Sequence, residues 1–169
     1  MIKNIKKGFT LVETLLYVSI LVIVVVIVIQ IIFGVLRIHR RIAVSQALES
    51  SGAIAMDRMI REIRLATVID DGASSLSVNP GVLSLTGIED NEPYTVAFNV
   101  LNGVVRITKD GGTPGNLTSS KVQVTDLLFQ KVDTTNSEGV RITLSLQARN
   151  GTEQKTITLY GFAVVRGSY

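Results

Sequence analysis

The chain has 169 residues, with 17 Lys+Arg against 14 Asp+Glu, a formal net charge of +3, an apolar fraction of 46%, 5% aromatics and a mean hydropathy of +0.38. It contains no Cys and a single His, His39. That excludes a disulfide framework, a Cys-based zinc site, a thiol nucleophile and any centre needing two histidines. The positive hydropathy implies a concentrated apolar segment, and the basic excess bears on partners only once it is located.

Both features lie in the first 36 residues. Residues 1–8 hold Lys3, Lys6 and Lys7 and no acid. From Phe9 to Leu36 run 28 residues, 22 of them apolar, with Glu13 as the only charge. Between Thr14 and Leu36 lie 23 uncharged residues dense in Val and Ile. As a helix they span roughly 35 Å at 1.5 Å per residue, enough for a bilayer core of about 30 Å. A buried core helix would need apolar partners on every side, and the remainder of the chain reads as polar and β-rich. A cleaved secretory signal fits poorly. The run is longer than an ordinary h-region, and Arg37, Arg40 and Arg41 separate it from the small-residue triplet Ala43-Val44-Ser45. Three lysines before the span and three arginines after it leave the positive-inside rule nearly balanced. The 133 residues beyond Leu36 have the size and composition of an extracytoplasmic domain.

The junction Lys6-Lys7-Gly8-Phe9-Thr10-Leu11-Val12-Glu13 carries the most information. A protease at a membrane surface needs extended, uncrowded backbone, which Gly8 supplies because it lacks Cβ and disfavours helix. The lysines would hold the leader against anionic lipid. A carboxylate in an apolar helix costs roughly 2.5–3.5 kcal/mol at mid-bilayer and less near the interface. Glu13 therefore either snorkels to the cytoplasmic edge or meets a cation when chains associate. Cleavage after Gly8 would create such a cation, the α-amine of Phe9, and pairing between neighbouring chains is geometrically easier than pairing within one.

These residues resemble the class III signal of type IV pilins and type II secretion pseudopilins. The resemblance covers Lys6 to Leu36 and beyond that rests on architecture. It implies cleavage between Gly8 and Phe9 by the prepilin peptidase, N-methylation of Phe9, and pairing of Glu13 with the Phe9 amine of an adjacent subunit in a filament. Lys6, Lys7, Thr10, Leu11, Val12 and Glu13 complete the implied processing and assembly motif. Other pilin or pseudopilin subunits, the peptidase, an inner-membrane assembly platform and the bilayer are the implied partners.

No Pro precedes Pro80, so the helix is expected to continue past the membrane to Ala66, 58 residues from Phe9. Ile38, Ile42, Ser45, Leu48, Gly52, Met56, Met59, Ile63 and Ala66 form a stripe at 3–4 spacing. Asp57 with Arg61, and Arg58 with Glu62, are placed to pair on the exposed side. Gly34 and Gly52 are candidate bends. Arg58, Arg61 and Arg64 are interleaved with acids and read as a solvated or sheet-facing surface rather than a nucleic-acid contact. Arg37, Arg40 and Arg41, with His39 among them, read as a collar at lipid headgroups. The stretch Asp57 to Ala66 is similar to the helix end of J-type pseudopilins and W-type minor pilins, while Glu13 argues against the tip-most pseudopilin type.

After Ala66 the period becomes alternating. Leu83–Leu85, Val96–Val100, Val104–Thr108, Val122–Val132, Val140–Ala148 and Thr156–Val165 read as strands, with tight turns at Asn102-Gly103 and Asn150-Gly151. The segment 110–120 reads as a loop. The expected fold class is α+β, a long N-terminal helix packed through residues 48–66 on a C-terminal antiparallel sheet. The expected organisation is a leader over 1–8, a transmembrane and assembly helix over 9–36, its amphipathic extension over 37–66 and a β-rich head over 67–169.

Catalytic patterns are not found. Asp70-Asp71-Gly72 lacks the alternating ligands of a calcium loop and reads as a turn. There is no nucleophile elbow, P-loop or histidine base. Asn116-Leu117-Thr118 and Asn150-Gly151-Thr152 match the glycosylation pattern, which is common by chance. No cofactor or metal is expected. The expectation is a minor pilin or pseudopilin in the inner membrane, its head outside the cytoplasm and later in a filament. An uncleaved single-span binding module or adhesin is the alternative, and a membrane-tethered hydrolase ranks third.

Overall fold

A computed structural model describes residues 10–134, 137–151 and 153–166. The chain divides into two compact units, Met1–Arg40 and Arg41–Tyr169. One helix, α1 (Leu11–Leu65), serves both. In the first unit α1 is the only described element, and every large apolar residue from Leu11 to Leu36 is between 45% and 78% exposed.

In the second unit α1 acquires a buried face: Val44, Leu48, Ser51, Gly52, Ala55, Met56, Met59, Glu62 and Ile63. Leu48, Gly52, Met56, Met59 and Ile63 belong to the expected stripe, and Ser51, Ala55 and Glu62 widen it. Its lower end differs, because Ile38 and Ile42 are exposed and Val44 takes the first core position. The helix stops at Leu65, since Ala66 already pairs with Gly87 as the first residue of β1 (Ala66–Ile69).

The strands form two antiparallel sheets rather than one. The first is a meander of β1, β2 (Leu83–Glu89), β3 (Glu92–Leu101), β4 (Val104–Lys109) and the short β5 (Gly115–Asn116). The second comprises β6 (Val122–Thr134), β7 (Ser137–Asn150) and β8 (Glu153–Val164). Asn102 and Gly103, both at positive φ, make the expected two-residue turn between β3 and β4. Asp90 and Asn91, also at positive φ, make a second one between β2 and β3, with Glu89 opposite Glu92.

Alternation explains β7, where Val140, Ile142, Leu144, Leu146 and Ala148 are all buried. In β6 the parity changes: Val122 and Val124 are buried, and so are Leu127 and Phe129. A bulge between Val124 and Asp126 absorbs one residue and returns the apolar side chains to the same face. One core joins the helix stripe to both sheets, with Phe98 and Phe129 fully buried in it. The segment after β1 ties the sheets together. Ser77 N–H donates to the Phe129 carbonyl at 2.7 Å and Gly81 N–H to that of Leu127 at 2.7 Å.

Candidate functional site

The described part of the processing motif begins at Thr10. Lys6, Lys7, Gly8 and Phe9 lie outside the described residues. Thr10 precedes the first helical residue, and its Oγ1 accepts the Glu13 N–H at 3.3 Å. Thr10 is thus the N-cap and Glu13 stands at N3, the spacing of a capping box. Motif resemblance alone gives Thr10 no role of its own. The Thr-x-x-Glu spacing is the sequence signal that locates the helix start.

Position N3 also places the Glu13 carboxylate in the first turn, where the exposed backbone N–H groups carry partial positive charge. The Tyr17 hydroxyl, one turn on, reaches Glu13 Oε1 at 3.5 Å, the outer limit of a hydrogen bond. Thr14 and Ser19 turn their hydroxyls back to the carbonyls of Leu11 and Leu15, each at 2.8 Å. These hydroxyls thereby satisfy themselves on their own helix and present no strong polar group outward. Glu13 is exposed, as are Leu11 and Val12 beside it.

The most apolar 18-residue window of α1 has a mean hydropathy of 3.2 and none of it is buried. A core helix would be covered by apolar partners, and within the first unit this run has none. Fully burying one such side chain is worth about 1.5–3 kcal/mol. The length, composition and exposure of the run fit a membrane-anchored helix.

The second unit offers no comparable chemistry among its described residues, and no group of three or more His, Asp or Glu there could hold a metal. The Asp70 carboxylate accepts the N–H groups of Gly72 and Ala73, each at 3.1 Å, and so caps its own turn. Asp71 is engaged by Lys131 Nζ at 2.9 Å. Thr118 of the first glycosylation-like triplet is buried, where its Oγ1 accepts the Val105 N–H at 3.0 Å. Arg58 pairs with Glu62 at 2.7 Å, but Glu62 is buried, so the pair sits at the edge of the core rather than on the exposed side. Asp57 and Arg61 are both exposed and form no ion pair with each other.

Residues 3–29 match the family model of the prokaryotic N-terminal methylation motif. That stretch holds the whole proposed processing segment and most of the uncovered apolar run. No curated protein and no solved structure matches the chain.

Proposed function

We infer that this chain, which carries the prokaryotic N-terminal methylation motif and is type IV pilin-like, is a minor pilin or pseudopilin. Its role is structural, as a subunit assembled into a filament rather than an enzyme. The observation that carries the reading is the join between that motif and an apolar helical run whose large side chains from Leu11 to Leu36 are all exposed.

Maturation would proceed at the leader. The prepilin peptidase cuts the Gly8–Phe9 bond, and the new Phe9 amine receives one methyl group. Removing the leader removes Lys3, Lys6 and Lys7, so the basic residues fall to 17 − 3 = 14 against 14 acidic ones and the +3 disappears. The inner membrane holds the subunit by residues 9–36, with the head outside the cytoplasm. An inner-membrane platform would then move it from lipid into the filament. Exchange of lipid for neighbouring helices is close to neutral in apolar contact, so a polar contact can set the register. Glu13 of one subunit meeting the Phe9 amine of the next supplies it, and in a low-dielectric setting such a pair is strong.

N-terminal mass spectrometry of the protein from cells with an active prepilin peptidase tests this directly. The expected product begins at Phe9 and carries one methyl. A chain retaining Met1 in those cells would favour an uncleaved membrane-anchored binding module and refute the processing step.

A further inference from the structure

We propose that the end of the head where α1 enters it is a docking surface for anionic phospholipid headgroups of the membrane that holds the helix. The proposal rests on the membrane-spanning reading of residues 9–36, and adds that the head itself touches the bilayer.

Three strand ends meet at this end of the β6–β7–β8 sheet. Lys121 immediately precedes β6, Arg149 is the penultimate residue of β7, and Lys155 lies near the start of β8, opposite Ala148. Arg41 of α1 joins them. Two clefts flank the buried Val44. One, of about 380 Å³, is lined by Lys121 and Arg149 over a floor including Ala47 and Ala148. The other, of about 180 Å³, is lined by Arg41 and Lys155, with Glu153 as its one carboxylate. The first combines apolar lining with two cations, which suits a phosphate attached to a glycerol and the start of its chains, and the second sets two more cations beside Val44.

The ion pairing is uneven along the head. Lys109 is paired with Glu89, and Lys131 with Asp71, Asp133 and Glu138. Among the described residues no carboxylate pairs with Arg41, Lys121, Arg149 or Lys155, and all four are exposed. Arg149 Nε donates to the Gly151 carbonyl at 3.0 Å and Lys155 Nζ to Ser45 Oγ at 3.0 Å, both neutral acceptors that leave the charges uncompensated.

Chain continuity selects lipid as the occupant. Five peptide steps separate Leu36 from Arg41, and at about 3.6 Å each they hold Arg41 within roughly 18 Å of the end of the span whatever its direction. That is the depth range of the headgroups and the ion layer beyond them.

The absence of Cys makes a single-site label unambiguous. The full chain carrying Ser120→Cys, spin-labelled beside Lys121, is placed in nanodiscs of phosphatidylcholine with or without phosphatidylglycerol. Accessibility to a water-soluble nickel complex is then measured. The label is expected to be shielded only in discs containing phosphatidylglycerol. The triple variant Lys121→Gln, Arg149→Gln, Lys155→Gln is expected to weaken that preference about tenfold or more. Equal accessibility in both lipids, or shielding unchanged in the triple variant, overturns the proposal. Shielding that follows the protein-to-disc ratio and not the lipid charge overturns it in favour of a second copy of the chain. A separate label at Val25→Cys, expected to be open to oxygen and closed to nickel, tells failure of head docking from failure of the membrane span.

Discussion

Leu159 of β8 lies over Gly52 of α1 so closely that a β-carbon at position 52 would overlap its Cδ1. The relation is reciprocated one turn along, where Met56 of α1 lies over Gly161 of β8 in the same way. Each element thus offers one large side chain and one glycine, and the two surfaces interlock. Gly52, a candidate bend by residue type alone, lies within the continuous α1 and makes room there for a side chain of β8.

A Gly52→Val substitution should destabilise the head by about 1–3 kcal/mol, because a branched side chain there forces the helix off β7 and β8. Gly52→Ala should cost much less. The end of Leu159 must move and that of Leu146 must give by a few tenths of an ångström, while the helix gains up to about 1 kcal/mol of intrinsic propensity. Denaturant unfolding of the full chain in detergent measures both. Equal losses for Ala and Val would contradict the interlocked packing.

Glu62 is buried and held by the half-exposed Arg58 at 2.7 Å. Its charge reaches the Tyr94 phenol, whose pKa is pushed up first by burial and then by Glu62. Arg58→Ala leaves that carboxylate buried without its cation and should cost about 1–3 kcal/mol, at the lower end because Arg58 is partly solvated. Adding Glu62→Gln to Arg58→Ala should recover part of the loss, read as a rise in the unfolding midpoint. No recovery would mean that the pair does not couple.

Lys131 stands among three carboxylates, Asp71 at 2.9 Å, Glu138 at 3.5 Å and Asp133 at 3.8 Å. Asp133 and Glu138 are directly opposite across β6 and β7, a like-charge pair that the ammonium separates. The hydrogen bond to Asp71, and the charges of all three acids, hold the Lys131 pKa above its ordinary 10.5. Folding therefore favours the protonated form. Its contribution is complete below the unfolded value of 10.5 and fades as pH rises through the higher folded value. Melting temperature followed from pH 8 upward should fall more for the native chain than for Lys131→Met. Parallel curves would show that the ammonium contributes nothing.

Glu13→Val should leave the protein in the membrane, since it makes the span more apolar, and should impair incorporation into filaments. Immunoblotting of sheared filaments against membrane fractions reads both quantities. Normal incorporation would refute the register role of Glu13.

Local chemistry is legible in the residues themselves. The apolar run, the stripe from Leu48 to Ile63 and the Asn102-Gly103 turn all rest on short-range rules: residue polarity, helical period and the positive φ that Gly and Asn tolerate. Thr10 as the helix cap is legible in the same way, through its spacing from Glu13. The motif at 3–29 is likewise a local pattern.

What depends on the folded chain is everything set by residues distant in sequence. The division of the strands into two sheets, linked by residues 75–82 hooked onto β6, is one such feature, because a strand's own alternation does not name its neighbour. Glu62 is buried in the folded chain, although on an isolated helix its Arg58 pairing looks solvent-exposed. Lys121, Arg149 and Lys155 read singly as scattered surface charges and become one cationic end only when three strand termini meet. The +3 of the sequence lies in residues 1–8, whereas the charge that can meet a membrane from the head side is an arrangement of the fold.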